Sequence, residues 1–496
     1  MGKSTRLTLT TMLVIAVCIV DSVTIAYDGS LMGSLNVMPS YQAYFDLTTA
    51  TTAVNTCATF LGSIAIGPVT GLLIDWRGRK FGLYSAVVMN VIGAGISGGA
   101  VNIGMFIAGR IIIGVGVGLG QTTAGAYIAE TTAPQLRSLA LGLYFACWAA
   151  GSLIAAGISF GSSSLEPSNW AWRLPSVLQA APAILVSMIV FFAPESPRWL
   201  VCQDRREEAL LVLAQVNGAG DDVDDADVQM QFREIVDTLD YEKTAEGRSM
   251  NIVDMLKTPA NRKRLFLALS IAPLSMLTGS SIITYYFGSM LDQAGVTDAT
   301  TQLQINVILS AWQLVTSVAG ALLADRLGRR LLCLLSLGLC SFFFYLFGGL
   351  TAKYGSSNYD PGTYGTIACM FLFLGSYAFG ITPLTPMYGP EVLSYNMRAN
   401  GLAVQGIFIK SCGVLVAMAF PYMMAAIGWK TYVVNASWNL LFWVYVYFQW
   451  VETRRLTLEE VDALFDGVVH FRDNASLEKG AGEGTTDVQA ASTVAA

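Results

Sequence analysis

Twelve apolar runs divide this 496-residue chain, and nothing else in it limits the possible folds so strongly. They lie near residues 8–33, 50–74, 82–103, 106–128, 138–160 and 173–193, then 264–291, 302–324, 331–352, 364–389, 400–427 and 430–450. A helix of about 20 residues crosses the roughly 30 Å of bilayer hydrocarbon, and each run has that length. In hydrocarbon no water satisfies a stray N–H or C=O, so such runs must be helices. With 54% hydrophobic residues, 13% charged residues and a mean hydropathy of +0.53, an ordinary soluble domain is excluded. The chain reads as an all-α integral membrane protein of twelve transmembrane helices. The first run is too long for the core of a cleaved leader and reads as the first span.

Between spans, three charged turns recur in order. Gly71–Phe81 reads GLLIDWRGRKF and Gly320–Leu331 reads GALLADRLGRRL, so Asp75, Gly78, Arg79 and Lys80 correspond to Asp325, Gly328, Arg329 and Arg330. Glu130 and Arg137 (ETTAPQLR) correspond to Glu391 and Arg398 (EVLSYNMR), and Glu195 of PESPRW, with Arg198, corresponds to Glu452 of VETRRL. An ordered triplet repeated once implies two homologous halves. These are 1–193 and 264–451, with a central segment 194–263 between them and a tail 452–496. The central segment carries two stretches, WLVCQDRREEALLVLAQV and VQMQFREIVDTLDYEK, with apolar residues at helical spacing; short helices are expected there. LTLEEVDALFDGVV suggests a surface helix in the tail, with disorder expected after about 472.

Lysine and arginine resist translocation, which orients the chain. Placing both termini in the cytoplasm puts 24 of the 29 basic residues inside; the others are Arg110, Arg173, Lys353, Lys410 and Lys430. A net charge of −6, concentrated around Asp221–Asp227, excludes nucleic acid as a partner. Eight scattered cysteines show neither a disulfide framework nor metal-ligand spacing, and no cofactor is indicated. The single histidine, His470, lies in the tail, so carboxylates must carry any proton chemistry within the membrane.

Taken together, G-x-x-x-D-x-x-G-R-[RK], E-x6-R and P-E-S-P-R-W resemble the sugar porter branch of the major facilitator superfamily, over roughly residues 8 to 468. YFACWAAGSLIAAG, WRLPSVLQAAPA, RANGLAV and WKTYVV look most like its fungal lactose-permease-like members. The resemblance implies two pseudo-symmetric six-helix halves and alternating access, in a plasma-membrane monomer that exchanges a small molecule and protons across the lipid bilayer. It also implies that Asp75, Arg79, Glu130, Arg137, Glu195 and Arg198, with Asp325, Arg329, Glu391, Arg398 and Glu452, form an interlocked cytoplasmic ion-pair network. That network would latch the outward-open state.

Ionisable side chains inside spans cost about 2.5–3.5 kcal/mol on insertion scales, so Asp21, Asp28, Arg110 and Lys410 are functional candidates by default. Asp28 sits in AYDGSLMG, which looks like the family's G-Y-D-x-x-x-x-G, where an aspartate marks proton-coupled members. Arg110 stands where the family places its partner. A guanidinium beside a carboxylate favours the ionised form; withdrawing it lets the carboxylate accept a proton. Asp21, two turns before Asp28, is either a secondary proton site or a helix-packing hydrogen bonder.

Substrate recognition departs from the family. Where the family has Q-Q-x-x-G-x-N in helix seven, this chain has Ser275, Met276, Leu277, Thr278, Gly279, Ser280 and Ser281, so both glutamines and the asparagine are gone and only Gly279, Tyr285 and Tyr286 hold. Phe145 replaces a glutamine, Pro386 an aromatic residue, and Ile409 and Lys410 a Gln-Trp pair. Tyr27, Gln121 and Trp148 complete the expected lining. Lys410, about 15 Å along a helix from Asn400, lies near mid-membrane and either binds an acidic group of the substrate or pairs with Asp21 or another acid. The expected activity is proton-driven symport of a sugar or related polyhydroxylated molecule, neutral or acidic. Export of an organic acid or specialised metabolite, or nutrient sensing, are the alternatives. No nucleophile, base and orienter set suggests an enzyme.

Overall fold

A computed structural model describes residues 8–217, 220, 222–243, 250, 252–355, 360–454, 461, 464 and 465. The side chains of Phe145 and Asp325, most of the expected tail helix, His470 and the rest of the tail lie outside the described residues. Twelve helical spans follow one another: α1 (Leu9–Leu35), α2 (Thr49–Arg77), α3 (Arg79–Gly98), α4 (Ile103–Thr131), α5 (Pro134–Ser162) and α6 (Trp170–Phe192), then α7 (Pro259–Gln293), α8 (Ala299–Leu327), α9 (Arg329–Tyr354), α10 (Asp360–Val392), α11 (Tyr395–Ile427) and α12 (Lys430–Gln449). Short helices in the central segment occupy Pro197–Cys202, Arg206–Asn217, Ala226–Lys243 and Ile252–Met255.

Eleven of the spans are long and apolar enough to cross a membrane unaided. The other, α12, carries Asn435 and Asn439, both buried, and its polarity has a structural use. Span α7 is broken at Leu277–Gly279, where Gly279 takes φ +113° and a β-carbon would fall 2.3 Å from the Phe344 ring. The break frees carbonyls that hydrocarbon cannot solvate. Asn435 Nδ2 (3.1 Å) and Trp438 Nε1 (2.8 Å) donate to the Leu277 carbonyl, and Asn439 Nδ2 (2.8 Å) donates to that of Thr278. Span α12 therefore holds α7 bent.

The halves meet at the end away from the charged turns. Leu31, Leu35 and Val37 share one buried cluster with Ile283, Phe287 and Met290. At Gly33 a β-carbon would lie 2.2 Å from the Thr284 carbonyl oxygen, so only glycine lets α1 approach α7 this closely. Asn36 Nδ2 donates to the Tyr285 carbonyl (3.2 Å), and Asn306 Nδ2 to Ser34 Oγ (3.1 Å). Phe60 of α2 lies against both Gly413 and the Tyr285 ring. This conformation is sealed on the side opposite the charged turns.

Candidate functional site

The charged turns build the same brace twice. Gly78 (φ +96°) separates α2 from α3, and Gly328 (φ +92°) separates α8 from α9. In the first half the Arg79 guanidinium contacts Glu130 (2.7 Å) and Asp75 (3.3 Å), while Glu195 accepts from the backbone N–H groups of Arg79 (3.0 Å) and Lys80 (3.2 Å). In the second, Arg329 grips Glu391 (2.9 Å), and Glu452 accepts from the N–H groups of Arg329 (2.8 Å) and Arg330 (3.1 Å). Each carboxylate thus caps the start of the next helix, where unsatisfied donors and the helix dipole favour negative charge. Burial pushes the Glu195 carboxyl above its usual range, opposed by the N–H groups of Ser196, Lys80 and Arg79 and by the Arg79 charge.

Two members of the braces carry no charge and escape a search for charged motifs. Ser196 donates its hydroxyl to Glu130, and Thr453 donates its hydroxyl to Glu391 (2.6 Å). Both follow the third motif glutamate by one residue, so superposing the two repeats reveals them. Arg137 is exposed and makes no ion pair among the described residues; Arg398 donates to the Leu393 carbonyl (3.4 Å), and Arg198 sits half-buried in Pro197–Cys202. The described contacts of Arg79 and Arg329 stay within their own halves. Those contacts form one brace in each half, built from Arg79, Asp75, Glu130 and Glu195 in the first and from Arg329, Glu391 and Glu452 in the second.

In the membrane interior Asp28 of α1 pairs with Arg110 of α4; they are 4% and 1% exposed. Asp21 is buried two turns earlier, its Oδ2 without a hydrogen-bond partner, and Gly120 makes room for it: a β-carbon there would lie 2.6 Å from Asp21 Oδ1. Lys410 is half-buried on α11, on the face that carries Ile407 and Gly413 against α2. No hydrogen bond or ion pair joins Lys410 to Asp21 or to another acid among the described residues. Tyr285 is within electrostatic reach of Asp28 and Arg110.

Several expected lining residues are committed elsewhere. The Tyr27 hydroxyl donates to the Pro175 carbonyl (3.0 Å) and is buried in the first half; that of Tyr286 donates to Ala417 (2.8 Å). Ser275 donates to Ala272 (3.1 Å), Ser281 to Met276 (3.2 Å) and Thr278 to Leu274, so the three hydroxyls around the α7 break satisfy carbonyls of α7 itself. Trp148 packs beside Gly29, next to Asp28; Gln121 is exposed on α4, and Pro386 and Ile409 are half-buried. Of the lining residues expected from the sequence, Gln121 is the one that carries an amide, and it is exposed.

Two six-helix halves around buried intramembrane charges, with matching braces at one end, define a multi-pass membrane transporter of the major facilitator fold. The chain belongs to the sugar (and other) transporter family, whose model matches residues 14–465. It is 28% identical to an MFS glucose transporter of Aspergillus flavus, over 89% of this chain and 87% of that protein. It is also 28% identical to a high-affinity glucose transporter of Kluyveromyces lactis (88% and 82%) and 29% identical to a probable quinate permease of Aspergillus fumigatus (94% and 89%). Among solved structures it is similar to the proton:xylose symporter XylE bound to 6-bromo-6-deoxy-D-glucose, with a TM-score of 0.73 and 19% identity over 92% of this chain and 100% of that one. It is likewise similar to the partially occluded inward-open form of XylE from E. coli (TM-score 0.74, 18% identity, 90% and 99%).

Proposed function

We propose that this chain imports a sugar or a polyhydroxylated acid together with a proton, by exposing the interface between its halves alternately to the two sides of the membrane. The observation that carries this reading is the buried Asp28–Arg110 pair. A carboxylate kept in the membrane beside a guanidinium is a proton site whose occupancy changes when the pair is rearranged. Asp21 is a candidate second site, since its buried Oδ2 lacks a partner. Lys410 takes an acidic group of the substrate, with Tyr285, Trp148, Gln121, Pro386 and Ile409 as further candidates for the lining. Relatives named as glucose transporters and quinate permeases bracket this range, quinate being a polyhydroxylated carboxylate.

The charged turns then face the cytoplasm, as do both termini, and the protein works as a monomer in the lipid bilayer of the plasma membrane, driven by the proton gradient without a cofactor. The two braces keep each half rigid at its cytoplasmic end as the halves rock. A substrate panel in reconstituted vesicles tests the reading: glucose, xylose and quinate, each with and without an inward proton gradient. Accumulation of at least one that collapses with the gradient is expected. Uptake of all three that ignores the gradient would leave a facilitator and remove proton coupling.

A further inference from the structure

Just before α7 the chain crosses the charged-turn end of the second half as a short strap. Met250 pins it to α11, donating its N–H to the Asn396 carbonyl (2.9 Å) and accepting from Asn400 Nδ2 (2.9 Å). Met255 pins it again, buried with Leu265, Leu393 and Met397. Beside the pins Ile252, Val253 and Leu256 stay exposed, Val253 by 70%. Thr258 then caps α7, its side chain accepting from the Asn261 N–H (3.3 Å). In the opening turns of α7, Arg262, Lys263 and Phe266 are exposed, whereas Arg264, Leu265 and Leu267 are buried. Phe266 stands four residues from Arg262 and three from Lys263, so the three share one face, with the ring about 6 Å further into the span. Asp254 neutralises Lys257 (2.6 Å). The Arg262 guanidinium has no partner among the described residues, and the Lys263 ammonium makes no ion pair there, facing the Phe465 ring at 5.8 Å. Two positive charges are therefore uncompensated at the point where an apolar strap meets a span.

We propose that this corner binds an anionic phospholipid, its acidic headgroup on Arg262 and Lys263 and its acyl chains along Phe266. Exposed Ile252, Val253 and Leu256 would be a liability in water. At the membrane surface they enter the headgroup boundary, where lysine and arginine meet acidic lipid. Phe266 sets the depth: a lipid-facing ring one turn into the span leaves the two cations at headgroup level. A zwitterionic lipid cancels its own phosphate charge and has little to offer two free cations, and a soluble phosphate has no use for the apolar strap. Because the strap is tied to the start of α11 at Met250 and to Leu393 and Met397 at Met255, a lipid held here grips α7, α10 and α11 together, beside the brace built on Glu391. The site lies apart from the charges of the membrane interior and stands whether or not transport is proton-coupled.

The test is native mass spectrometry of the purified full chain titrated with dioctanoyl phosphatidylserine, with dioctanoyl phosphatidylcholine, and with glycerophosphoserine, which carries the acidic headgroup without the chains. The serine lipid is expected to bind at least fivefold more tightly than either of the others. A cation near the membrane surface is worth about fivefold in affinity for acidic lipid, so Arg262→Gln and Lys263→Gln should each weaken the serine lipid by about that factor and leave the choline lipid unchanged. Arg262→Lys keeps the charge and should keep the preference. Arg233→Gln, which removes an exposed charge from the central helix Ala226–Lys243, should change nothing. Equal binding of the two lipids overturns the site. So does a preference for the serine lipid that survives Arg262→Gln/Lys263→Gln, or one lost equally in Arg233→Gln, which would mark diffuse attraction to total charge. Glycerophosphoserine bound as tightly as the lipid would make this a site for a soluble phosphate and overturn the lipid assignment. A dimer that Val253→Asp disperses would assign the strap to a second copy of the chain and overturn it as well.

Discussion

Arg110 and Asp28 hold each other in a setting where either alone is a liability. Removing one partner of a buried ion pair leaves an uncompensated charge and costs about 3–5 kcal/mol, more than the pair is worth. Arg110→Gln is therefore expected to lower the unfolding midpoint sharply, and to lower it much less when Asp28→Asn is already present. Additive losses in that double-mutant cycle would mean that the two side chains do not form a pair. A second contrast is offered by Gly78. At φ +96°, with a β-carbon only 2.5 Å from Glu195 Oε2, Gly78→Ala should cost about 1–3 kcal/mol, whereas Gly71→Ala, with open space around it and a helical backbone, should cost nothing. Equal midpoints for the two variants would contradict the geometry of the turn. Asp28 and Arg110 were legible in the sequence because hydrocarbon makes any charge conspicuous. Tyr27 was not. One residue from Asp28, it points about 100° away around α1, and only the packing of α6 shows that its hydroxyl serves Pro175.

At the scale of elements, length and hydropathy revealed the spans but not the division of labour between α7 and α12. Ser275, Thr278 and Ser281 read as cavity hydroxyls because the family binds substrate there; the chain instead turns them onto carbonyls of the broken helix. Asn435 and Asn439 belong to no motif and drew no notice in the sequence, since a long-range bond to a helix break leaves no local pattern. Gly279 was the one hint, being a residue that permits the left-handed backbone found there. Asn439→Leu leaves the buried Thr278 carbonyl unsatisfied and is expected to cost about 1–3 kcal/mol, with Asn435→Leu acting on the Leu277 carbonyl in the same direction but less, since Trp438 still donates to it. Thermal unfolding in detergent measures both; an undiminished midpoint in Asn439→Leu would show that α7 stays bent without its clamp. The braces were more legible, because acids and bases repeated at matching positions in both halves stand out against apolar spans. Which acid each arginine reaches was not, because spacing along the chain says nothing of which partner is met.

For the whole molecule, the seal opposite the charged turns is the part of the cycle on view, and Ser34 and Asn306 mark it from either half. A Ser34→Cys/Asn306→Cys pair should crosslink on oxidation and stop transport until reduced. Full transport by the crosslinked protein would show that this seam need not open. In the proton-coupled cycle proposed above, the seam opens only when the charges at mid-membrane are suitably occupied, and Asp28 is the residue proposed to set that condition. The most direct measurement is accumulation of the best of glucose, xylose and quinate in vesicles bearing wild type or Asp28→Asn, beside equilibrium exchange in the same vesicles. Wild type should accumulate substrate under an imposed proton gradient and lose the accumulation with a protonophore. Asp28→Asn should exchange substrate across the membrane yet accumulate none. Gradient-driven accumulation undiminished in Asp28→Asn would contradict the account at its centre.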